Sequence, residues 1–153
     1  MSITVQIQYA VPRTSVPLQA DFLRWVKAAL VNQSKAGEIT IRVTSESEAA
    51  QLNWRYRRKE GATNILSFPF EVPSCVPVDI PLLGDLVICA PVVAREALEQ
   101  AKKEQDHWAH LVVHGVLHLL GFDHQQEVEA QQMESLEVTI LESLGYPDPY
   151  ESV

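Results

Sequence analysis

The chain has 153 residues, of which 46% are hydrophobic and 21% charged, with a net charge of −8. Such a length and balance suit one domain with its own core and exclude a disordered chain. The acidity excludes indiscriminate nucleic-acid binding, and no apolar run reaches membrane-spanning length, because Asp85 and Pro91 break the best candidate.

In chain order, Ile3, Val5, Ile7 and Tyr9 alternate with polar residues and predict a half-buried first strand. This opening has no basic leader with an apolar stretch behind it, so a cytoplasmic protein without a membrane partner is expected. Pro12 and Pro17 bracket a loop. Leu18 to about Val31 reads as a helix with Phe22, Trp25, Val26, Ala29 and Leu30 on one face. Gly37 turns the chain into a second strand carrying Ile39, Ile41 and Val43. Ser45 with Glu48 three residues on predicts a capping box that opens a helix to about Arg57.

Residues 63–68 read as a third strand stopped by Pro69, and residues 69–82 hold four prolines and no helical period. Residues 83–89 form a fourth, largely buried strand. Pro91 suits a first helical position and starts a helix to about Lys103. A further helix spans about Gln105 to Leu120, and the last runs from about Gln125 to Leu144, ending at Gly145 with Pro147 beyond. Cys75 and Cys89 have no metal or redox spacing, and Cys89 reads as a small buried hydrophobe. This order predicts an α+β fold, a single domain over residues 1–153. About four strands form a mixed sheet packed with helices, and a central buried helix carries metal ligands.

That central helix concentrates the chemistry. Trp108, Val112, Val113, Val116, Leu117, Leu119 and Leu120 cover most of its circumference, as on a buried helix. The remaining stripe holds His107, His110, His114 and His118, which need partners, a metal or a water-filled cleft. His114 and His118 stand one turn apart on one face. Gly121 can end the helix in a left-handed conformation and return the chain so that His124 becomes a third ligand. Three imidazoles leave a tetrahedral ion one open position, as in catalytic sites. His110 and His118 lie about 12 Å apart along the axis, too far to join His114 on one ion. His110 is therefore expected beside the site, behind a ligand or facing substrate, and His107 as an exposed histidine of the first turn. Asp123 has two readings, a carboxylate orienting a ligand histidine or the N-cap of the last helix with Gln126 completing a box.

Zinc peptidases place Glu directly after the first histidine as general base, and this chain has Gly115 there. The cage is retained without the base, which fits metal-assisted hydrolysis other than the usual peptidase route. Imidazole ligands suit zinc, nickel and other divalent ions. Four of the 12 Lys and Arg fall at Arg55, Arg57, Arg58 and Lys59. This cluster reads either as a local grip on a polyanion or as a solvated helix end.

The block His114-Gly115-Val116-Leu117-His118-Leu119-Leu120-Gly121-Phe122-Asp123-His124 resembles the metal motif of the YbeY endoribonucleases, the bacterial ribosomal-RNA maturation factors. Leu52-Asn53, Tyr56-Arg57, Lys59, residues 63–69 and Leu83-Gly84-Asp85 agree with it, while Ala62 replaces a usual proline and Phe122 a commoner tyrosine. The resemblance implies a single-strand-specific endoribonuclease with one zinc per chain. Such an enzyme acts on single-stranded RNA and rRNA, in maturation of the 3′ end of small-subunit rRNA and in ribosome quality control on the small subunit. It implies His114, His118 and His124 as catalytic metal ligands and Arg57 as a functional arginine. Two other readings stay open: a zinc hydrolase of another substrate class, and a ribosome-associated binding protein whose zinc is mainly structural. The sequence specifies no oligomeric state.

Overall fold

A computed structural model describes residues 3–70, 82–122 and 126–150 of the chain. Strand β1, Ile3–Tyr9, leads through α1, Gln19–Asn32, to β2, Gly37–Thr44, and α2, Glu46–Arg57. Strands β3, Ile65–Pro69, and β4, Leu82–Cys89, follow, and then three helices: α3, Ala90–Glu99, α4, Glu104–Leu119, and α5, Glu127–Ser143. The sheet order is β1-β2-β4-β3. β1, β2 and β4 are parallel, with Val5 opposite Ile39 and Ile41 opposite Leu86, and β3 returns antiparallel at the edge with Leu66 opposite Val87. The predicted α+β class and mixed four-stranded sheet are what the chain adopts. Among the described residues no helix is long and apolar enough to cross a membrane.

The core is built where the periodicities place apolar residues. Ile39, Ile41 and Val43 of β2 and Leu86 and Ile88 of β4 bury against Phe22, Trp25, Val26, Ala29 and Leu30 of α1 and the apolar residues of α4. Phe22 lies edge-to-face with Trp25 and Trp108, at 5.7 and 5.8 Å between ring centroids. Helix α4 packs on α1, α3, α5, β3 and β4, so the sheet and three helices fix its position. Gly115 permits the close approach to the sheet. A Cβ there would stand 2.8 Å from both Ile65 Cδ1 and Leu86 Cδ2. The position where a zinc peptidase carries its base thus faces packed aliphatic side chains, and a glutamate there would have to displace Ile65 and Leu86.

Four expectations need correction. His107 is buried, not exposed: its Nε2 lies 2.9 Å from Glu96 Oε1, which also accepts from Asn64 Nδ2 at 3.0 Å. Burial pulls its pKa below the ordinary value against the opposing pull of Glu96. Helix α3 stops at Glu99, short of Lys103. Ala101 adopts φ 55° and Lys102 N–H reaches back to Ala97 C=O at 2.9 Å, a left-handed stop made without glycine. The N-cap of α5 is Gln126, extended at φ −109° and ψ 150°, so the cap position assigned to Asp123 falls to Gln126; Asp123 itself lies outside the described residues.

The box at α2 is only half formed. Ser45 Oγ accepts from Glu48 N–H at 3.3 Å, but the Glu48 carboxylate turns to Arg42 of β2, taking Nε at 2.6 Å and Nη2 at 2.8 Å. The forked contact is the stronger one, being charge-assisted and bidentate. Those hydrogen bonds from Arg42 outweigh the cost of burial and hold the Glu48 pKa down to about 2, against an ordinary 4.5. A depressed carboxylate stabilises the fold above its unfolded pKa, and that contribution is lost as pH falls through the folded one. Thermal melts should therefore show wild type more stable than Glu48→Gln at neutral pH. The gap should hold down to about pH 5 and close toward about pH 2.

Candidate functional site

Helix α4 ends as its sequence requires. Gly121 takes φ 102°, its N–H reaches His118 C=O at 3.0 Å, and Phe122 N–H reaches Leu117 C=O at 3.1 Å. This positive-φ stop releases the chain directly after the histidine stripe. His124 lies outside the described residues.

Along the stripe the rings converge pairwise. His114 and His118 stand with centroids 4.6 Å apart, and their Nε2 atoms are 3.1 Å from each other. Two ligands on one tetrahedral zinc at the usual bond lengths would be about 3.3 Å apart, so this pair already has nearly the spacing of a shared ion. The other nitrogen of His114, Nδ1, lies 2.5 Å from Glu137 Oε1. Neutral His114 that donates Nδ1–H to this carboxylate keeps its Nε2 lone pair directed at His118.

Glu137 belongs to α5 and is fully buried. Besides His114 it meets His110 Nε2 at 3.3 Å through Oε2, and the Tyr150 hydroxyl donates to that same oxygen. Tyr150 also approaches His110, at 3.2 Å from hydroxyl to Nε2 and 5.2 Å between ring centroids. Burial alone would raise the Glu137 pKa. Hydrogen bonds from His110 and His114 outweigh it and hold the carboxyl down to about 2, whereas the Tyr150 hydroxyl is pushed up by burial and by Glu137 beside it. A cavity of about 380 Å³ opens beside this network, lined in part by Asn64, Ile65, His110, His114 and Tyr150. His110 lines this cavity, and its Nε2 meets the same carboxylate that His114 does. His110, His114 and Glu137 each offer one atom within 4.8 Å of the others, a group that could itself hold a metal ion.

Arg57 stands exposed in the last turn of α2, next to Arg58, which caps that helix at φ 55°. No hydrogen bond or ion pair among the described residues joins Arg57 to the histidines. The connection runs through β3: the Tyr56 ring packs on Phe68 at 5.1 Å, and Ile65 of the same strand lines the cavity with His114. Two large aromatics, Trp54 and Tyr56, are half exposed here, with Arg58 5.9 Å from the Trp54 ring centre and Arg55 5.5 Å from that of Tyr56.

Sequence reasoning missed Glu137 and Tyr150. A signal existed for the first, because Met133, Glu137, Ile140 and Leu141 share the buried face of α5 and a carboxylate there needs partners. Tyr150 carried none, since its contacts depend on how the chain returns after α5.

Fold and site together define a class: an α+β domain whose buried central helix presents a histidine cluster that, with a buried carboxylate beside it, could hold a metal ion. Comparison with known proteins is more specific. The sequence profile of the family described as endoribonuclease YbeY matches residues 7–145. The chain is 94% identical to the endoribonuclease YbeY of Nitrosococcus oceani over all 153 residues, with 100% of both chains covered. It is 55% identical to that of Stenotrophomonas maltophilia over 150 residues, covering 97% of this chain and 93% of the other. The solution structure of TM1509 from Thermotoga maritima has the same fold, with a TM-score of 0.60 at 18% identity, covering 96% of this chain and 99% of that one. The chain belongs to the YbeY endoribonuclease family.

Proposed function

We propose that the chain, as one domain over residues 1–153, is a zinc-dependent endoribonuclease that cuts single-stranded RNA in the cytoplasm. Its substrate is small-subunit rRNA at the 3′ end, with a further role in ribosome quality control. His114, His118 and His124 hold one ion, and Arg57 acts on the phosphate. The observation that carries the reading is the 3.1 Å approach of His114 Nε2 to His118 Nε2, in a family of endoribonucleases. At zinc–nitrogen bond lengths this spacing subtends about 98° at an ion, close to tetrahedral. The 2.5 Å between His114 Nδ1 and Glu137 Oε1 would subtend only about 75°, which favours a hydrogen bond there over a shared metal.

Bound at the three histidines, zinc supplies Lewis acidity that activates water and polarises a phosphoryl oxygen. The protein's own groups do the rest. Gly115 has no side chain and its environment is apolar, so α4 offers no peptidase-type base at that position. Arg57 presents a forked donor to the phosphoryl oxygens as negative charge develops on them. Arg55, Arg58 and Lys59 hold flanking phosphates, while Trp54 and Tyr56 offer faces on which unpaired bases can stack. Stacking needs bases free of a duplex, which supports single-strand preference.

The test is cleavage of a single-stranded RNA oligomer and of its duplex by the purified protein. The single strand should be cut internally and the duplex spared. Chelation should abolish cutting, zinc should restore it, and rising salt should weaken binding. Equal cutting of the duplex, or activity that survives metal removal, would overturn the reading.

A further inference from the structure

Resting on the placement of the ion at His114 and His118, we infer that Glu137 and Tyr150 are positioning residues for the metal: together they hold His114 as the tautomer whose Nε2 is a ligand. An imidazole can bind a cation through only one nitrogen when the other carries the proton, and a neighbouring acceptor selects which one it is. Glu137 Oε1 stands 2.5 Å from His114 Nδ1, a distance for receiving its proton. The other oxygen of this carboxylate is engaged as well: Oε2 meets His110 Nε2 at 3.3 Å and accepts the Tyr150 hydroxyl. Glu137 has no exposure to water, so the carboxylate cannot swing to solvent and abandon His114. It rises from α5 between Met133 and Ile140–Leu141, which are packed in the main core, so the helix that carries it is fixed as well.

Tyr150 closes the arrangement from the far end of the chain. After α5 the backbone turns at Gly145, where Tyr146 N–H bonds Leu141 C=O at 2.9 Å and the Tyr146 hydroxyl takes Trp25 Nε1–H at 3.0 Å. Lys102 Nζ then fastens Pro149 C=O at 2.8 Å. These contacts deliver the Tyr150 hydroxyl to Glu137 and its ring to the edge of His110. The return of the chain past α5 is thereby part of the metal site, although it contributes no ligand.

Glu137→Gln and Tyr150→Phe test this through metal binding and not through turnover. Gln keeps the shape of Glu but can present an N–H to His114 Nδ1, favouring the wrong tautomer. Phe deletes one hydroxyl from a partly exposed residue. Zinc affinity measured by competition with a chromophoric chelator should fall about 10- to 100-fold in Glu137→Gln, the usual cost of losing such a carboxylate, and less, in the same direction, in Tyr150→Phe. Nitrogen-15 NMR of the His114 ring should show an Nδ1–H tautomer in wild type and a shift toward Nε2–H in Glu137→Gln. A residue needed merely for packing would lower the melting temperature of the zinc-free protein and leave that tautomer alone. Wild-type zinc affinity in both variants, or an unchanged His114 tautomer, would overturn the inference. If His118→Ala also binds zinc as tightly as wild type, the placement of the ion has failed and not the role of Glu137.

Discussion

Replacing His118 with Ala is expected to remove stoichiometric zinc and bring RNA cleavage to background, while His110→Ala keeps both. The two substitutions separate two ways of placing an ion around His114. With the ion between His114 Nε2 and His118 Nε2, His118 is a direct ligand, and two remaining imidazoles do not fix a catalytic zinc. Loss of the ion removes both the activation of water and charge stabilisation at phosphorus. The rate should then fall by more than the roughly 10²–10³ that one lost transition-state donor costs. With the ion instead among His110, His114 and Glu137, the pattern reverses, and His110→Ala is the variant that loses metal. On the placement proposed here, His110→Ala deletes only one partner of Glu137 and leaves the contact of Glu137 with His114 in place, so the ion is retained. Metal analysis of the purified variants beside a single-stranded RNA assay reads both quantities. Full metal in His118→Ala with none in His110→Ala would move the ion to the other group.

The parts of this site legible in the sequence are those set by local geometry. His114 and His118 meet because residues four apart on a helix share a face, and Gly121 stops that helix at a φ of 102°, which glycine adopts at no steric cost. The strands and the apolar stripes of α1 and α4 were readable for the same reason, since periods of 2 and 3.6 are properties of the backbone. What escaped depends on which groups meet after the elements pack. His107 looked like a solvent-facing residue of a first turn until α3 brought Glu96 against it. Glu48 had the spacing of a capping box, but β2 delivers Arg42, a better partner than a backbone N–H. The stop of α3 at Ala101 had no glycine to announce it.

Arg57→Ala should leave zinc content at wild-type level and reduce turnover of single-stranded RNA by about 10²–10³-fold, the range for removing one donor aimed at developing charge. The side chain is exposed at the end of α2 and is engaged in no hydrogen bond or ion pair among the described residues, so its loss opens no core cavity and strips no ligand. Its neighbours Arg55, Arg58 and Lys59 can replace its bulk charge but not its geometry. Arg57→Lys, which keeps the charge and loses the planar fork, should therefore recover little of the lost rate. Binding can be followed apart from turnover, because Trp25 and Trp108 are buried and Trp54 is half exposed beside Arg58. Quenching of emission on titration with a single-stranded oligomer then reports mainly on Trp54. It should persist in Arg57→Ala with affinity reduced only modestly, since several cations share the phosphates. If zinc leaves with Arg57, the residue supports the fold of the site; if Lys restores full turnover, charge alone suffices and the forked contact is not its role.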